Sequence, residues 1–408
     1  MIHYITTNGI GNAWVAAELK IVQEAGIPYK LHAMRAPSKT VFGAQWADRI
    51  NKNTQLLYPL RPLKMARSLA TAPLLYRERF LKALFNALFS PRENPRARVA
   101  AIAHLLVACD WARDLRTEDV HLIHSQWIQS CGTIGWYAAR LLDKPFSFTG
   151  HAVDLFRDRV ALKDKIKDAD FIVSISEFHS KFYIDEGARP EQLNIVYCGI
   201  DLSEFKYTYR PMGDRARILS FGRLVEKKGF DTLIEAAAEL RRRGREIEVS
   251  IAGSGPEEDK LRNLSRALGV EDIVEVTGKP LLQEEIADWF SSGHIFAQPC
   301  CWSSDNDVDG IPRSLMEAMA CGLPSITTRV AGLPDLVVHE KSGLLVEPKA
   351  PKELADAIER MIDEPELTEQ LSKGGRAHVE QHFNLVNCLD PLVKLFRQRL
   401  GQDADSPS

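Results

Sequence analysis

Short apolar runs alternate with segments of helical periodicity through most of this 408-residue chain. Such alternation is typical of strands joined by crossover helices, and it predicts parallel sheets. A chain of this length is too long for one ordinary hydrophobic core, and its 45% hydrophobic residues can supply two. We therefore predict an α/β protein with two Rossmann-like, doubly wound domains.

Each half of the chain holds enough candidate strands for a sheet of its own. In the first half they are residues 3–6, 120–124, 146–149, 171–175 and 194–197. In the second half they are residues 218–221, 247–252, 273–276, 295–298 and 325–328. The stretch 199–215 contains Pro and Gly and indicates a linker, so we place the domains at 1–205 and 206–385.

The bulk composition excludes some classes of protein. The formal net charge is −3 with 26% charged residues, which argues against nucleic-acid binding along the whole chain. The seven cysteines form no C-x-x-C pair, so reduced thiols in the cytoplasm are expected, with Cys300 and Cys301 buried as small apolar residues. The N-terminus has no signal-peptide pattern, and the longest uncharged stretch is too polar to span a membrane.

One region, residues 61–116, is basic and helical in composition. It holds eleven Lys and Arg against four Asp and Glu, a net charge of +7. An apolar stripe with helical spacing runs through it, formed by Leu81, Leu84, Phe85, Leu88 and Phe89. Two interpretations are open: a helix packed on its own domain, or a patch that contacts anionic lipid at a membrane.

The most informative segment runs from Asp309 to Pro324. Pro312 suits the first position of a helix, which should extend to about residue 320. Gly310 allows close approach of a ligand, and the free amides at the helix start form an anion site suited to a diphosphate. Glu317 lies inside the helix on an apolar surface, where a carboxylate needs a polar partner such as a sugar hydroxyl.

Nearby acids allow two other interpretations. Asp305 and Asp307 resemble a D-x-D metal motif, but that motif belongs to a different, single-domain fold. The same acids resemble the start of a calcium loop, yet its closing position is Met316 rather than a glutamate. A solvated acidic loop is the simplest interpretation of Asp305 and Asp307, and no metal is expected.

The loops after two strands of the second half are rich in glycine. Gly222 ends one strand, and Arg223 and Lys228 follow it where ligands bind in open α/β sheets. Gly253 and Gly255 follow the next strand, but the third glycine of a dinucleotide fingerprint is missing, which disfavours NAD.

The first half has two comparable loops. Gly9 and Gly11 follow its first strand and allow a ligand to approach the backbone closely. His151 follows the strand 146–149 and should lie at the carboxyl edge of the sheet; a structural role for it is equally open.

Together these segments resemble the retaining glycosyltransferases of family 4, which have the GT-B fold with two domains facing a central cleft. The resemblance rests on G-R-L…E-K-K-G at 222–229, G-x-G-P at 253–256 and two carboxylates, Asp309 and Glu317, followed by A-M-A-x-G-x-P. It extends over residues 332–346, and it is similar to bacterial exopolysaccharide enzymes of the colanic-acid type. The family has Glu where this chain has Asp309, so the reach of the shorter side chain to the sugar is open.

The resemblance implies a nucleoside-diphosphate sugar donor of UDP or GDP type, no cofactor, no metal, and transfer with retention to a glycan or lipid-linked acceptor. The first domain would take the acceptor, the second the donor, and a helix at about 386–400 would cross back onto the first. His151, Asp309, Arg223 and Lys228 would be catalytic. The implied donor-binding set is Gly9, Gly11, Gly222, Arg223, Lys228, Gly253, Gly255, Asp309, Gly310, Ile311 and Glu317.

Two other functions remain as alternatives. One is an NAD-dependent oxidoreductase with two Rossmann-like halves, and the other is a catalytically silent partner protein of GT-B fold. The expected location is the cytoplasm, with peripheral contact at the inner face of a membrane through residues 61–116.

Overall fold

A computed structural model describes residues 1–37 and 45–402 of the chain. The strands are β1 (Ile2–Thr6), β2 (Tyr29–Ala33), β3 (Gln55–Leu56), β4 (Leu122–Gln126), β5 (Phe146–Thr149), β6 (Phe171–Ser174), β7 (Leu193–Ile195), β8 (Ala216–Phe221), β9 (Ile247–Ala252), β10 (Val274–Val276), β11 (Ile295–Gln298), β12 (Ser325–Thr328) and β13 (Leu344–Val346). The α-helices are α1 (Ala13–Glu24), α2 (Gln45–Asn53), α3 (Pro62–Tyr76), α4 (Glu78–Phe89), α5 (Pro95–Leu115), α6 (Ser130–Leu142), α7 (Leu162–Asp168), α8 (Glu177–Asp185), α9 (Phe230–Arg242), α10 (Glu258–Ala267), α11 (Gln283–Ser291), α12 (Arg313–Cys321), α13 (Leu333–Leu336), α14 (Pro351–Asp363), α15 (Pro365–His382) and α16 (Leu385–Arg399).

The chain divides into two compact units. Unit 1 is Met1–Val196 together with the segment that starts at Leu389, and unit 2 is Tyr197–Cys388. The first boundary between the units lies between Val196 and Tyr197, nearer the N-terminus than the boundary between 205 and 206 that the sequence suggests. Within unit 1 the end of the chain is fixed by α16, since Phe396 packs on the rings of Tyr4, His124 and Phe171.

The described strands of unit 1 form a seven-stranded sheet in the order β3-β2-β1-β4-β5-β6-β7, and every pairing is parallel. This is a doubly wound order with its switch point between β1 and β4. The sequence prediction missed β2, whose alternating polar residues break the apolar run, and β3, which has only two residues. It also placed β4 two residues too early.

Unit 2 repeats this topology in its described part. Six parallel strands lie in the order β10-β9-β8-β11-β12-β13, with the switch point between β8 and β11. The strands predicted here are present, and the short edge strand β13 was missed. The predicted α/β class with two Rossmann-like units is confirmed.

The basic region 61–116 forms three helices, α3, α4 and α5. Helix α5 is largely buried, and α4 buries Ala83, Asn86 and Ala87 within unit 1. Of the apolar stripe of α4, Leu84 packs against the core, whereas Leu81, Phe85 and Phe89 are each more than 60% exposed. Helix α4 is thus packed on its own domain, as one interpretation expects, and it leaves part of its stripe open to solvent.

The cysteines and the hydropathy of the helices can be compared with the sequence expectations. All seven cysteines are free, and Cys300 and Cys301 are buried as the sequence predicts. Among the helices that the structure describes, none is long and apolar enough to cross a bilayer.

Candidate functional site

The glycines of unit 2 let two loops lie directly on one another. A Cβ atom on Gly253 would lie 1.9 Å from the carbonyl oxygen of Gly222, and one on Gly255 would lie 2.3 Å from that of Leu224. The Leu224 amide donates to the Ser254 carbonyl at 3.0 Å. Gly253 and Gly255 are thus required for packing between the loops after β8 and β9, whether or not they also contact a ligand.

A cluster of charged side chains joins the two strands at the switch point of unit 2. Lys228, after β8, places its Nζ atom 2.7 Å from Oδ2 of Asp309, which lies after β11. Lys227 contacts both Asp309, at 3.1 Å, and Asp307, at 2.9 Å. These four side chains are each no more than 20% exposed. The cluster therefore holds four charges at the edge where open α/β sheets bind ligands.

The ion pairs set the ionisation of this cluster. Burial favours the neutral form of Asp309, but the adjacent Lys228 and Lys227 outweigh it and lower the pKa of that carboxyl. Burial likewise disfavours the charged form of Lys227, yet Asp309 and Asp307 raise its pKa. Asp309 is therefore ionised at neutral pH.

Two members of this cluster differ from the sequence interpretation. Asp307 is largely buried and paired, so its description as part of a solvated acidic loop is wrong, whereas Asp305 is exposed. Lys227 was overlooked because adjacent lysines usually point in different directions. In this loop a short 3-10 turn at Glu226–Lys228 brings both ammonium groups to Asp309.

Helix α12 begins beside this cluster. The helix begins at Arg313, one residue later than predicted, so Pro312 is its N-cap. It extends to Cys321. Among the described residues, the amides of Gly310, Ile311, Arg313 and Ser314 donate no hydrogen bond. Free amides at a helix start and the helix dipole favour an anion.

Glu317 has a partner that the sequence interpretation did not name. Its Oε1 atom accepts a hydrogen bond of 2.6 Å from Nε of Arg313, one turn earlier on α12. The Glu317 side chain is 3% exposed, and burial raises its pKa although Arg313 opposes the shift. The i,i+4 spacing of these residues was a readable signal for this pair.

Arg223 is the most accessible cation of the predicted set. It is exposed in the loop after β8, and within the described part of the chain it pairs with no carboxylate. The structure brings Lys228 and Asp309 into contact but leaves Arg223 outside this ion-pair cluster.

In unit 1, the predicted glycine loop connects β1 to α1. Gly9 has a left-handed φ of 58°, and its carbonyl accepts a hydrogen bond from the Thr6 hydroxyl at 3.2 Å. The amide of Gly11 donates to the Asn8 carbonyl at 3.0 Å, which closes the turn before the helix. The loop lies at the switch point of this sheet, next to the end of β4.

His151 follows β5 at the same edge of unit 1 and is half-buried. The Trp14 and Trp127 rings lie beside it, with centroid distances of 5.7 and 5.5 Å, and 6.0 Å from each other. Burial lowers the pKa of His151 to about 4, so its ring is neutral at pH 7. Trp127 has a φ of 72°, a strained backbone for a large side chain of the kind that clusters at functional positions.

A buried polar chain leads from His151 into the sheet. The His151 Nε2 atom lies 3.4 Å from Oε1 of Gln126, whose Nε2 atom donates to Glu18 at 2.6 Å. The Tyr4 hydroxyl donates to the same Glu18 oxygen at 3.2 Å. Burial raises the pKa of Glu18 to about 7. Sequence reasoning missed this chain because its members come from β1, α1 and β4.

A second buried group lies close by. Asp154 accepts a hydrogen bond from the Ile128 amide at 3.0 Å, and burial raises its pKa to about 7. Lys165 donates to the Thr133 hydroxyl at 2.9 Å and to the Ile128 carbonyl, and burial lowers its pKa to about 7. No sequence pattern marked either residue.

Among the described residues, no group of three or more His, Cys, Asp or Glu is arranged to hold a metal ion. What the structure presents is a cluster of two lysines and two aspartates beside free amides in unit 2 and a neutral histidine with aromatic neighbours in unit 1. Each lies at the switch point of a doubly wound sheet. Two such units define the GT-B class of α/β fold.

Family comparisons identify the two segments of this fold. Residues 71–204 match the model of Glycosyltransferase Family 4, and residues 205–378 match that of Glycosyl transferases group 1. The chain therefore carries domains of both glycosyltransferase families, which supports a transferase enzyme.

Two relatives come from exopolysaccharide synthesis. The colanic acid biosynthesis glycosyltransferase WcaL of Salmonella typhimurium is 33% identical over 219 residues, 53% of each chain. The amylovoran biosynthesis glycosyltransferase AmsK of Erwinia amylovora is 33% identical over 243 residues, 57% of this chain and 59% of AmsK. The matches thus span little more than half the length of these relatives.

A solved structure shows the same fold over nearly the whole chain. HepE from Anabaena in complex with UDP has a TM-score of 0.70 at 16% identity, covering 97% of this chain and 99% of HepE. HepE has also been solved with UDP-glucose. At this identity the likeness establishes the fold alone.

Proposed function

We propose that this protein transfers a sugar from a nucleoside-diphosphate donor to a glycan or lipid-linked acceptor in surface or exopolysaccharide synthesis. The observation that carries the proposal is the Lys227–Lys228–Asp309 cluster beside the free amides of α12. Two ammonium groups and several aligned amides suit a diphosphate, whose negative charge grows as the sugar departs. The UDP complex of HepE and the exopolysaccharide roles of WcaL and AmsK support this assignment.

The residues of unit 2 have distinct roles in this proposal. Lys228 and Arg223 bind the diphosphate, and the amides of Gly310 and Ile311 contact its oxygens or the sugar. Glu317 has a second carboxyl oxygen that makes no hydrogen bond to the described residues, and that atom accepts from ribose hydroxyls. Asp309 orients Lys228 and retains lone pairs for a sugar hydroxyl. Its side chain, which is shorter than a glutamate, is held in place by Lys227 and Lys228.

We propose that transfer proceeds with retention of anomeric configuration and without a metal ion or cofactor. The acceptor attacks from the face that the diphosphate leaves, and a diphosphate oxygen takes the acceptor proton. The lysines stabilise the negative charge, which is the task that a metal performs in other transferases. We place the reaction in the cytoplasm, where the seven free thiols remain reduced.

A panel of UDP- and GDP-sugars tests this function, with release of nucleotide and the product's anomeric configuration measured by NMR. Turnover of one donor class with retention is the expected result. Thermal shifts with UDP, GDP and NAD separate the alternatives. Stabilisation by NAD alone would establish the oxidoreductase, and nucleotide binding without turnover of any donor would establish the silent partner protein.

We further propose that the exposed face of α4 binds an anionic membrane surface peripherally. Of the thirteen large apolar side chains exposed in the described residues, seven lie between Leu63 and Val99. Leu81, Phe85 and Phe89 border a groove of about 650 Å³. A cluster of this kind on one face of a soluble domain marks an interaction surface.

The charges near this face favour anionic lipid as the occupant. Lys82 is exposed on α4 itself, and its pair with Glu78 at 3.3 Å is open to solvent. Within residues 61–116, all of which the structure describes, five exposed arginines pair with no carboxylate: Arg61, Arg67, Arg77, Arg96 and Arg116. Each basic residue near an anionic leaflet contributes about 1 kcal/mol.

Sedimentation of the full chain with vesicles tests this surface. Binding to phosphatidylcholine mixed with phosphatidylglycerol, but not to phosphatidylcholine alone, is expected. A Phe85→Ser, Phe89→Ser double variant should lose binding, whereas the control Leu268→Ser, an exposed leucine of unit 2, should keep it. Equal sedimentation of the double variant and the wild type would disprove the assignment.

A further inference from the structure

We propose that Glu18 and Gln126 fix His151 in the tautomer with hydrogen on Nε2, so that Nδ1 accepts a hydrogen bond from a sugar hydroxyl. Glu18 and Gln126 are then positioning residues, since they act through His151. The sugar as ligand rests on the proposed function, but the tautomer is a property of the protein alone.

The first step concerns the orientation of the Gln126 amide. Its Nε2 atom lies 2.6 Å from Oε1 of Glu18, a contact that only an N–H donor can make favourably. The reversed amide would place two buried oxygens at that distance. The Tyr4 hydroxyl donates to the same carboxyl oxygen, which is an acceptor when Glu18 is ionised and also when neutral Glu18 carries its hydrogen on Oε2. The buried surroundings therefore fix which end of the amide faces His151.

The second step transfers this orientation to the imidazole. The remaining Gln126 atom, Oε1, lies 3.4 Å from Nε2 of His151. An amide oxygen accepts hydrogen bonds and cannot donate them, so Nε2 carries the hydrogen. A neutral imidazole has a single N–H, and the partner of one ring nitrogen determines the state of the other. Nδ1 of His151 therefore presents a lone pair.

The third step concerns what Nδ1 faces. Among the described residues, Nδ1 of His151 makes no hydrogen bond. The rings of Trp14 and Trp127 lie next to the imidazole and 6.0 Å from each other, and Trp14 is 37% exposed. A half-buried acceptor beside two aromatic rings suits a ligand with an apolar face and hydroxyl donors, which describes a pyranose.

The assignment has a consequence for specificity. His151 accepts a hydrogen bond rather than donating one, so it recognises a hydroxyl and discriminates against a sugar in which that hydroxyl is replaced by hydrogen or a methyl ether. A histidine of the other tautomer would tolerate a methyl ether, because the ether oxygen still accepts. A site built to bind a hydroxyl rejects analogues that lack it.

The test is ¹⁵N NMR of the full chain labelled on histidine, at pH 7, with the His151 signals assigned by comparison with His151→Gln. In the wild type, hydrogen on Nε2 and a bare Nδ1 are expected. Gln126→Leu removes the acceptor, and His151 should then populate both tautomers. Glu18→Gln is the matched control, because its side-chain oxygen still accepts from Gln126 and Tyr4, and it should keep the wild-type pattern.

Hydrogen on Nδ1 of His151 in the wild type would overturn the proposal, and this result does not depend on how Gln126→Leu or Glu18→Gln folds. A folded Gln126→Leu protein with an unchanged tautomer would overturn it as well. The NMR result is independent of catalysis. A chain with the expected tautomer and no transfer from any donor would therefore refute the proposed function while leaving the positioning of His151 intact.

Discussion

The two units have the same strand order but keep their buried ionisable groups in opposite states. At the switch point of unit 2, Lys227 and Lys228 are charged and paired with carboxylates. In unit 1, burial shifts His151, Glu18 and Lys165 toward their neutral forms, and for Lys165 it outweighs the nearby Glu93 and Asp154. One topology thus supports an edge suited to a polyanion and another suited to uncharged hydroxyl groups.

This difference in ionisation between the two units follows from the length of the loops that carry the ionisable groups. In unit 2, a long loop after β11 brings Asp307 and Asp309 back to the lysines after β8, and each charge finds a partner. In unit 1, the ionisable groups lie on strands and helices that pack tightly, where a charge costs several kcal/mol unless it is neutralised. Four experiments test this contrast.

The largest expected effect is on catalysis in unit 2. Lys228→Ala removes a cation from the diphosphate site and leaves Asp309 with one lysine fewer, so kcat should fall about a thousandfold. The measurement is the initial rate with the best donor of the sugar panel. Lys260→Ala is the control, since Lys260 is 58% exposed on α10 and pairs with Glu257. A Lys228→Ala rate near that of the control would remove Lys228 from the mechanism.

The next effect is on stability and pH, and it should separate the units. Burial lowers the pKa of six histidines of unit 1: to about 4 for His3, His104 and His151, to about 3 for His124 and His179, and well below its ordinary value for His32. As pH falls from 7 to 5, the unfolded chain binds protons that the folded unit cannot, which costs roughly 2 kcal/mol for each histidine.

Two carboxyls of unit 1 act in the opposite direction. The folded pKa of Glu18 and of Asp154 is about 7, above the ordinary value, so the folded unit keeps these protons and regains roughly 2 kcal/mol for each at pH 5. Lys165, whose folded pKa is also about 7, completes the uptake of a proton over this range that the unfolded chain already holds, and it regains a smaller amount. With six histidines against these three groups, unit 1 should lose about 6 kcal/mol between pH 7 and 5. The paired Asp309 of unit 2 has a lowered pKa. Its contribution to stability is therefore lost only when the pH falls below the ordinary pKa of an aspartate.

Hydrogen exchange followed peptide by peptide at pH 7 and pH 5 measures this difference once intrinsic exchange rates are corrected. Protection should decrease in β1, β4 and β6 more than in β8 and β11. Equal loss in both units would show that burial does not hold the histidines of unit 1 neutral.

A third, smaller effect tests the loop contact of unit 2. Gly253→Ala would place a Cβ atom 1.9 Å from a backbone oxygen, at a φ of 143° that L-residues rarely adopt. A loss of about 3 kcal/mol in the free energy of unfolding is expected from urea denaturation. Gly213→Ala is the matched control, because no atom lies within 4 Å of its added Cβ. Similar stability of both variants would contradict the close approach of the two loops.

The smallest effect concerns the Arg313–Glu317 pair. Glu317→Gln keeps the shape of the side chain but removes its charge, so the KM for the donor should rise about tenfold with kcat little changed. Stability should change little, since Arg313 is 31% exposed and can be solvated. The control Glu369→Gln breaks an exposed i,i+4 pair on α15. An unchanged donor KM would remove Glu317 from the donor site.

Much of the architecture was predictable, because it depends on local patterns. Apolar runs such as those of β6 and β11 are typical of strands buried on both faces, and their positions agree with the structure. The edge strands β3 and β13 were missed because strands of two or three residues have too few positions to establish a pattern.

The sequence by itself determined the two α/β halves, the loops that carry charge, and the chemical type of Lys228, Asp309, Glu317 and His151. Tertiary structure alone decided which of those groups meet. Nothing in the spacing of Lys227 and Asp309, or of Glu18 and Gln126, shows that they touch, because strand order and not sequence distance brings the carboxyl ends of strands together. Tertiary structure also decided which ionisable groups are neutral, since desolvation depends on everything packed around a side chain.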